Sequence, residues 1–281
     1  MHSSADAIRF DDRVAVVVGA GPGLGATLAR RFSSAGADVA LVARSAASLG
    51  ASEAAAQEAG GSPLCIAADV TSPGDARRMG EAVIERFGHV DVLVNTPFRS
   101  PPKRALLDMD EDALEDWRLT VETGGYGTLL ACRYLVPSMV ERGRGAIVNV
   151  TSMSSRMGFA GRSDYAAGKA QGHKIAHSLA DELGPQGIRV NCVAPGHIWS
   201  EQLEGFYRAR AAELGVDYET VLARYAGEIA LRRIVTPDEI ANAALSTRGF
   251  SLASRWRRVP ASRAGAVRGR RAHPRVRRVR P

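Results

Sequence analysis

The sequence predicts an α/β protein built on one doubly wound parallel sheet in a single domain. Three observations predict it. Short apolar runs alternate with longer amphipathic stretches from the start of the chain to about Leu245. The apolar runs lack a polar face, which marks strands covered by helices on both sides. Four glycines, Gly19, Gly21, Gly23 and Gly25, fill the turn after the first apolar run. Strands separated by helices make right-handed crossovers, and these wind the sheet in both directions.

The elements follow in order. "RVAVVVGA" (13–20) reads as a buried strand, and "GATLARRFSSAG" (25–36) as an amphipathic helix ending at Gly36. "DVALVA" (38–43) is a second strand and 45–59 a second helix. "PLCIAADV" (63–70) is a third strand, with a helix over 73–87. "VDVLVNT" (90–96) is a fourth strand, followed by one long helical region over about 111–141. "GAIVNVTS" (145–152) is a fifth strand, with a helix from about 163 to 183. "GIRVNCVAPG" (187–196) is a sixth. The pattern divides the chain into a sheet domain over 1–245 and an irregular Arg-rich tail over 246–281.

Composition agrees with one soluble domain. The 281 residues are 45% apolar and 24% charged. The net charge of +7 hides an asymmetry: residues 246–281 hold twelve Arg and no acid, so residues 1–245 carry a net −5. Cys65, Cys132 and Cys192 are far apart, odd in number and set in apolar stretches, which predicts buried thiols in a reducing, cytoplasmic setting. The polar N-terminus does not read as a signal peptide, and no run is long enough to span a bilayer. His173, His177 and His197 show no metal-ligand pattern, so no metal is expected.

The glycine turn carries chemistry. Gly19, Gly21, Gly23 and Gly25, with Leu24 among them, let a pyrophosphate approach the backbone. The following helix offers free N–H groups and the positive end of its dipole to the phosphates. The second strand ends in Ala43 and Arg44 where an acid would bind ribose hydroxyls. A cation there suits a 2′-phosphate, so NADP(H) is favoured over NAD(H). Tyr165 and Lys169 stand four apart on one helical face. An ammonium beside a phenol favours the phenolate and lowers its pKa. Ser152 stands thirteen residues before Tyr165, at the end of the fifth strand, where its hydroxyl can bond a substrate oxygen.

Together the glycine turn, Ser152, Tyr165-x-x-x-Lys169 and "NCVAPG" resemble the short-chain dehydrogenase/reductase family over about residues 12–245. The resemblance implies a Rossmann-type sheet of seven strands and an oxidoreductase working on a ketone or secondary alcohol. It makes Tyr165 the general acid–base, Lys169 a ribose ligand that lowers the tyrosine pKa, and Ser152 the group that orients the substrate. It assigns Asp69 and Val70 to the adenine end and Asn95 to the fourth strand's cofactor edge. Pro195, Gly196, Ile198 and Ser200 fall to the carboxamide and pyrophosphate end.

Three departures stand out. The segment after the fourth strand reads "NTPF", Asn95 to Phe98, in place of Asn-Asn-Ala-Gly. Gly124 occupies the position of the family's proton-relay asparagine, leaving water, Glu122 or nothing to serve. These two changes keep an alternative reading open: a catalytically weak dinucleotide-binding protein acting as scaffold or sensor. The third departure is the tail, which lacks the expected helix and a seventh strand ending like Leu-x-Val-Asp-Gly-Gly. Shifting the codons of Ala266 to His273 by one base can recover such a segment, so a frameshifted ending is expected in preference to a nucleic-acid-binding arm. The family would imply a homo-oligomer, which this ending puts in question. The lid-like segment around Phe206, Tyr207, Tyr218 and Tyr225, with Trp199 and Met153 nearby, either lines an apolar substrate pocket or packs on itself.

Overall fold

The computed structural model describes residues 8–99 and 101–246. Six strands form one parallel sheet: β1 (Val14–Val18), β2 (Asp38–Ala43), β3 (Leu64–Ala67), β4 (Val92–Asn95), β5 (Gly145–Val150) and β6 (Ile188–Val193), in the order β3-β2-β1-β4-β5-β6. The order reverses between β1 and β4. That reversal opens a crevice at the carboxyl ends of the strands, where ligands of such sheets bind.

Period-two geometry explains the two-sided core. On β1, Ala15 and Val17 face one apolar layer while Val16 and Val18 face the other, and all four are fully buried. The first layer is closed by α1 (Leu24–Ser34), α2 (Ala46–Glu58) and α9 (Pro237–Ser246), through Leu28, Phe32, Leu49 and Leu245. The second is closed by α3 (Pro73–Phe87), α5 (Tyr126–Glu141) and α6 (Ser163–Leu183), through Met79, Leu135, Met139 and Ala176. Each fully buried Val or Leu is worth roughly 1.5–3 kcal/mol, so these two layers dominate the stability of the sheet.

The long helical region expected over 111–141 is two helices. α4 (Glu111–Gly124) ends before Gly125, which sits at φ −100° and ψ −72°, and α5 starts at Tyr126. The lid segment forms α7 (Glu201–Leu214) and α8 (Tyr218–Gly227). Tyr207 is fully buried there, its ring stacked on Tyr225 at 5.0 Å and tilted against Phe206 at 5.7 Å. These aromatics form a small core of the lid itself. Among the described residues the sheet has six strands, and β6 is its edge. The questions of a seventh strand and of the tail fall on residues 247–281, outside the described part.

Candidate active site

The glycine turn lies at the sheet's reversal point. Gly19 has a φ of +92°, and a Cβ there would stand 2.6 Å from the Thr96 carbonyl oxygen, so only glycine fits. A Cβ on Gly25 would stand 2.8 Å from the Ala20 backbone, which lets α1 press against the loop. Gly21 and Gly23 differ: a Cβ on either would meet nothing within 4 Å. Their open side is the room a pyrophosphate needs beside the backbone. α1 begins at Leu24 with no side-chain cap and no acid in its first turn, which keeps its N-terminus receptive to an anion.

Two hydroxyls that sequence reasoning missed hold this loop. Ser52 of α2 donates to the carbonyls of Ala20 at 2.9 Å and Gly21 at 3.0 Å. Thr96 donates to Gly19 O at 3.0 Å and Val18 O at 3.2 Å. The available signal was a buried Ser in an alanine-rich helix, which local spacing cannot connect to a loop about thirty residues away.

Arg44 follows β2 directly, is exposed, and makes no ion pair among the described residues. Asp69 accepts from the Thr71 N–H at 2.8 Å and the Thr71 hydroxyl at 2.7 Å through one oxygen. Val70 packs so closely on α5 that a Cβ on Gly127 would come within 2.7 Å of it. Asn95 is buried, and its amide donates to Asn149 Oδ1 at 3.0 Å, while Asn149 donates to Gly172 O at 3.1 Å. Asn95 therefore ties β4 to β5 and α6 and turns its side chain into the fold. Pro195 O accepts from the Met153 N–H at 2.8 Å, which clamps the loop after β6 onto the segment after β5. Gly196 follows on that loop, Ile198 bridges to Val235, and Ser200 caps α7 by accepting from Leu203 N at 3.1 Å.

Ser152, Tyr165 and Lys169 do come together. Ser152 follows β5 and lies near enough to Tyr165 to oppose the rise of its phenol pKa. Lys169 is buried one helical turn below Tyr165, and its Nζ donates to Val150 O at 3.0 Å and Pro97 O at 3.2 Å. Of its three donor positions, two are thus engaged by backbone. Burial brings its pKa down to about 8. The "NTPF" segment is built into this arrangement: Pro97 supplies a carbonyl to Lys169, and the Phe98 ring meets the Tyr165 ring edge to face at 5.6 Å.

The expected lowering of the tyrosine pKa by Lys169 is corrected by the structure. Burial pushes the Tyr165 phenol above its ordinary value, and Ser152 and the Arg162 charge only partly oppose it. The Arg162 guanidinium lies 5.2 Å from the Tyr165 ring centre and the Lys169 ammonium 5.9 Å. Lys169 is drawn toward the two carbonyls, and Arg162 is the cation that acts on the phenol. Glu122, one candidate for the missing relay, accepts from Arg118 at 2.5 Å.

The family profile described as "Enoyl-(Acyl carrier protein) reductase" matches residues 19–255. The short-chain reductase protein NovJ of Streptomyces niveus is 35% identical over 246 residues, covering 86% of this chain and 90% of that protein. The crystal structure of an actinorhodin polyketide ketoreductase variant with NADPH superposes with a TM-score of 0.75 at 30% identity, covering 84% of this chain and 90% of that one. A 7α-hydroxysteroid dehydrogenase complexed with NADH and 7-oxo glycochenodeoxycholic acid superposes at 0.74 with 28% identity, covering 89% and 94%. No described helix is long and apolar enough to cross a membrane. With its Rossmann-type sheet and these relatives, this chain belongs to the short-chain dehydrogenase/reductase family of oxidoreductases.

Proposed function

We propose that the chain interconverts a ketone and a secondary alcohol with NADP(H), using Tyr165 as the acid–base. The observation that carries the reading is the convergence of Ser152 and Tyr165, with Lys169 buried one turn below Tyr165. The dinucleotide supplies or accepts the hydride at the substrate carbon. The open backbone at Gly21 and Gly23 suits its pyrophosphate, and Arg44 suits a 2′-phosphate.

The protein's own groups handle the proton. Ser152 hydrogen-bonds the substrate oxygen and orients it toward Tyr165. In reduction, the Tyr165 hydroxyl gives its proton to that oxygen as hydride reaches the carbon, and in oxidation the phenolate takes it back. A buried phenol held above its ordinary pKa keeps its proton at neutral pH, which suits reduction. Lys169, with two donors fixed on Val150 O and Pro97 O, has a third for a ribose hydroxyl. The relatives' substrates, a 7-oxo bile acid and a polyketide among them, favour a medium-sized carbonyl compound.

Tyr165→Phe keeps the ring and its contact with Phe98 but removes the transferable proton. Turnover of a ketone panel is expected to fall by about 10²- to 10⁴-fold, with dinucleotide affinity nearly unchanged. A variant as fast as its parent would refute the assignment. A parent that binds dinucleotide but turns over no ketone or alcohol would favour the scaffold or sensor reading instead.

A further inference from the structure

The departure at "NTPF" puts an aromatic ring, Phe98, where the family carries glycine. Its backbone is fixed from the preceding residue, since Pro97 O accepts from Lys169 Nζ at 3.2 Å. The Phe98 side chain is nevertheless 56% exposed, although so large an apolar group gains by burial. A lone exposed apolar side chain needs no explanation, but Phe98 has company. Met157 and Phe159, on the loop between Ser152 and Tyr165, are 54% and 40% exposed. The two loops are joined: the Arg104 N–H donates to Gly161 O at 3.2 Å, and Arg162 Nη1 donates to Pro101 O at 3.3 Å. Exposed apolar side chains therefore stand on both loops that flank Tyr165, where a bound substrate would cover them.

Phe98 and Tyr165 form an aromatic corner. Their ring centres are 5.6 Å apart and their planes meet at 89°. The Arg162 guanidinium lies over the Tyr165 ring at 5.2 Å. Phe98 thus carries the more open aromatic surface of the pair. A flat ring can lie against that surface with its carbonyl toward the Tyr165 hydroxyl. A saturated ring of the same skeleton is thicker, and it lacks the quadrupole that favours offset-stacked and edge-to-face pairs.

We propose that Phe98 is a specificity-determining residue and that the substrate carries an aromatic ring beside its carbonyl. The inference rests on the reading of the site as a ketone–alcohol oxidoreductase and narrows its substrate class. Aromatic pairing of this kind favours an aryl over a matched saturated ketone by about three- to tenfold.

The test uses the full chain with saturating NADPH and, in parallel, NADH. The substrates are β-tetralone and β-decalone, bicyclic ketones of one skeleton in which the carbonyl is not conjugated with the aromatic ring. Phe98→Leu removes the ring and Phe98→Tyr keeps it, with Phe98→Met in reserve if the Leu variant does not fold. The ratio of kcat/KM for tetralone over decalone should fall about three- to tenfold in Phe98→Leu and stay near the parent's in Phe98→Tyr. Taking the ratio within each protein cancels any disturbance of Tyr165 that both ketones share. A ratio that is the same in parent and Phe98→Leu would overturn the inference and leave the oxidoreductase reading intact. A ratio that falls equally in Phe98→Tyr would overturn it as well, because shape and not the ring would then be selected. If the parent turns over neither ketone, equilibrium dialysis of each against the dinucleotide-loaded chain decides. Tighter binding of tetralone than decalone, lost in Phe98→Leu, would support the aromatic site while refuting the catalytic reading. Equal or undetectable binding would overturn both.

Discussion

Two cations flank Tyr165, and they act differently. Lys169 is buried with two donors on backbone carbonyls, whereas Arg162 lies over the ring and opposes the burial that raises the phenol's pKa. Removing Arg162 removes a charge that favours the phenolate. Arg162→Gln is therefore expected to raise the Tyr165 pKa further. In the oxidation direction the phenolate is the base, so the ascending, acidic limb of kcat/KM against pH moves to higher pH. A profile that stays in place in this variant would show that Arg162 does not act on the phenol. Arg44 is a second residue with a separable task. Arg44→Asp puts a carboxylate where a 2′-phosphate would sit, so NADP(H) should weaken and NADH improve. Dissociation constants of both cofactors in both proteins check this, and an unchanged preference would mean that another residue reads the phosphate.

Among the elements, the pairing of α4 with α6 explains the missing asparagine. A Cβ on Gly124 would stand 2.7–2.8 Å from the Gly168 backbone, and one on Gly168 would stand 3.0 Å from Thr120 O. A Cβ on Gly172 would lie 3.1 Å from Gly124 O. The two helices meet backbone to backbone along this stripe. The family asparagine is thus excluded by packing as well as absent from the sequence. Restoring it by Gly124→Asn should force the helices apart. Overpacking of this kind costs about 1–3 kcal/mol, and each kcal/mol lowers Tm by about 2–4 °C in a domain of this size. The expected result is a lower Tm with no gain in kcat, measured by calorimetry and steady-state kinetics. A variant that is both as stable and faster would mean that the helices have room to spare.

For the whole molecule, the sheet edge matters most. β6 is the last strand of the described sheet, with β5 on one side. A strand edge left uncovered invites pairing with another chain. The body carries a net −5 and the last 36 residues all the basic excess. If the ending is frameshifted, replacing residues 246–281 by the shifted reading should add a strand beside β6. Sedimentation velocity should then show a discrete homo-oligomer and less aggregate than the chain with its present ending. A DNA sequence that confirms the present frame, together with a stable and fully active chain, would refute this.

The sequence by itself determined the sheet, its parallel sense and the candidate trio of Ser152, Tyr165 and Lys169. Those features depend on local signals: continuous apolar runs, helical period, glycines in a turn, and Tyr165 and Lys169 one turn apart. Eight of the predicted helices or strands, such as 73–87 and 163–183, coincide with the folded elements within a residue or two. Tertiary structure alone decided the rest. At Gly125, between α4 and α5, a Cβ would collide with the Gln171 side chain of α6. Ser52 and Thr96 hold the glycine turn from distant points in the chain. Asn95 turns inward because Asn149 waits on the neighbouring strand. The Tyr165 pKa rises because desolvation by the closed fold outweighs the charges around it. Burial and long-range contact exist only after the strands are aligned, and residue spacing carries neither.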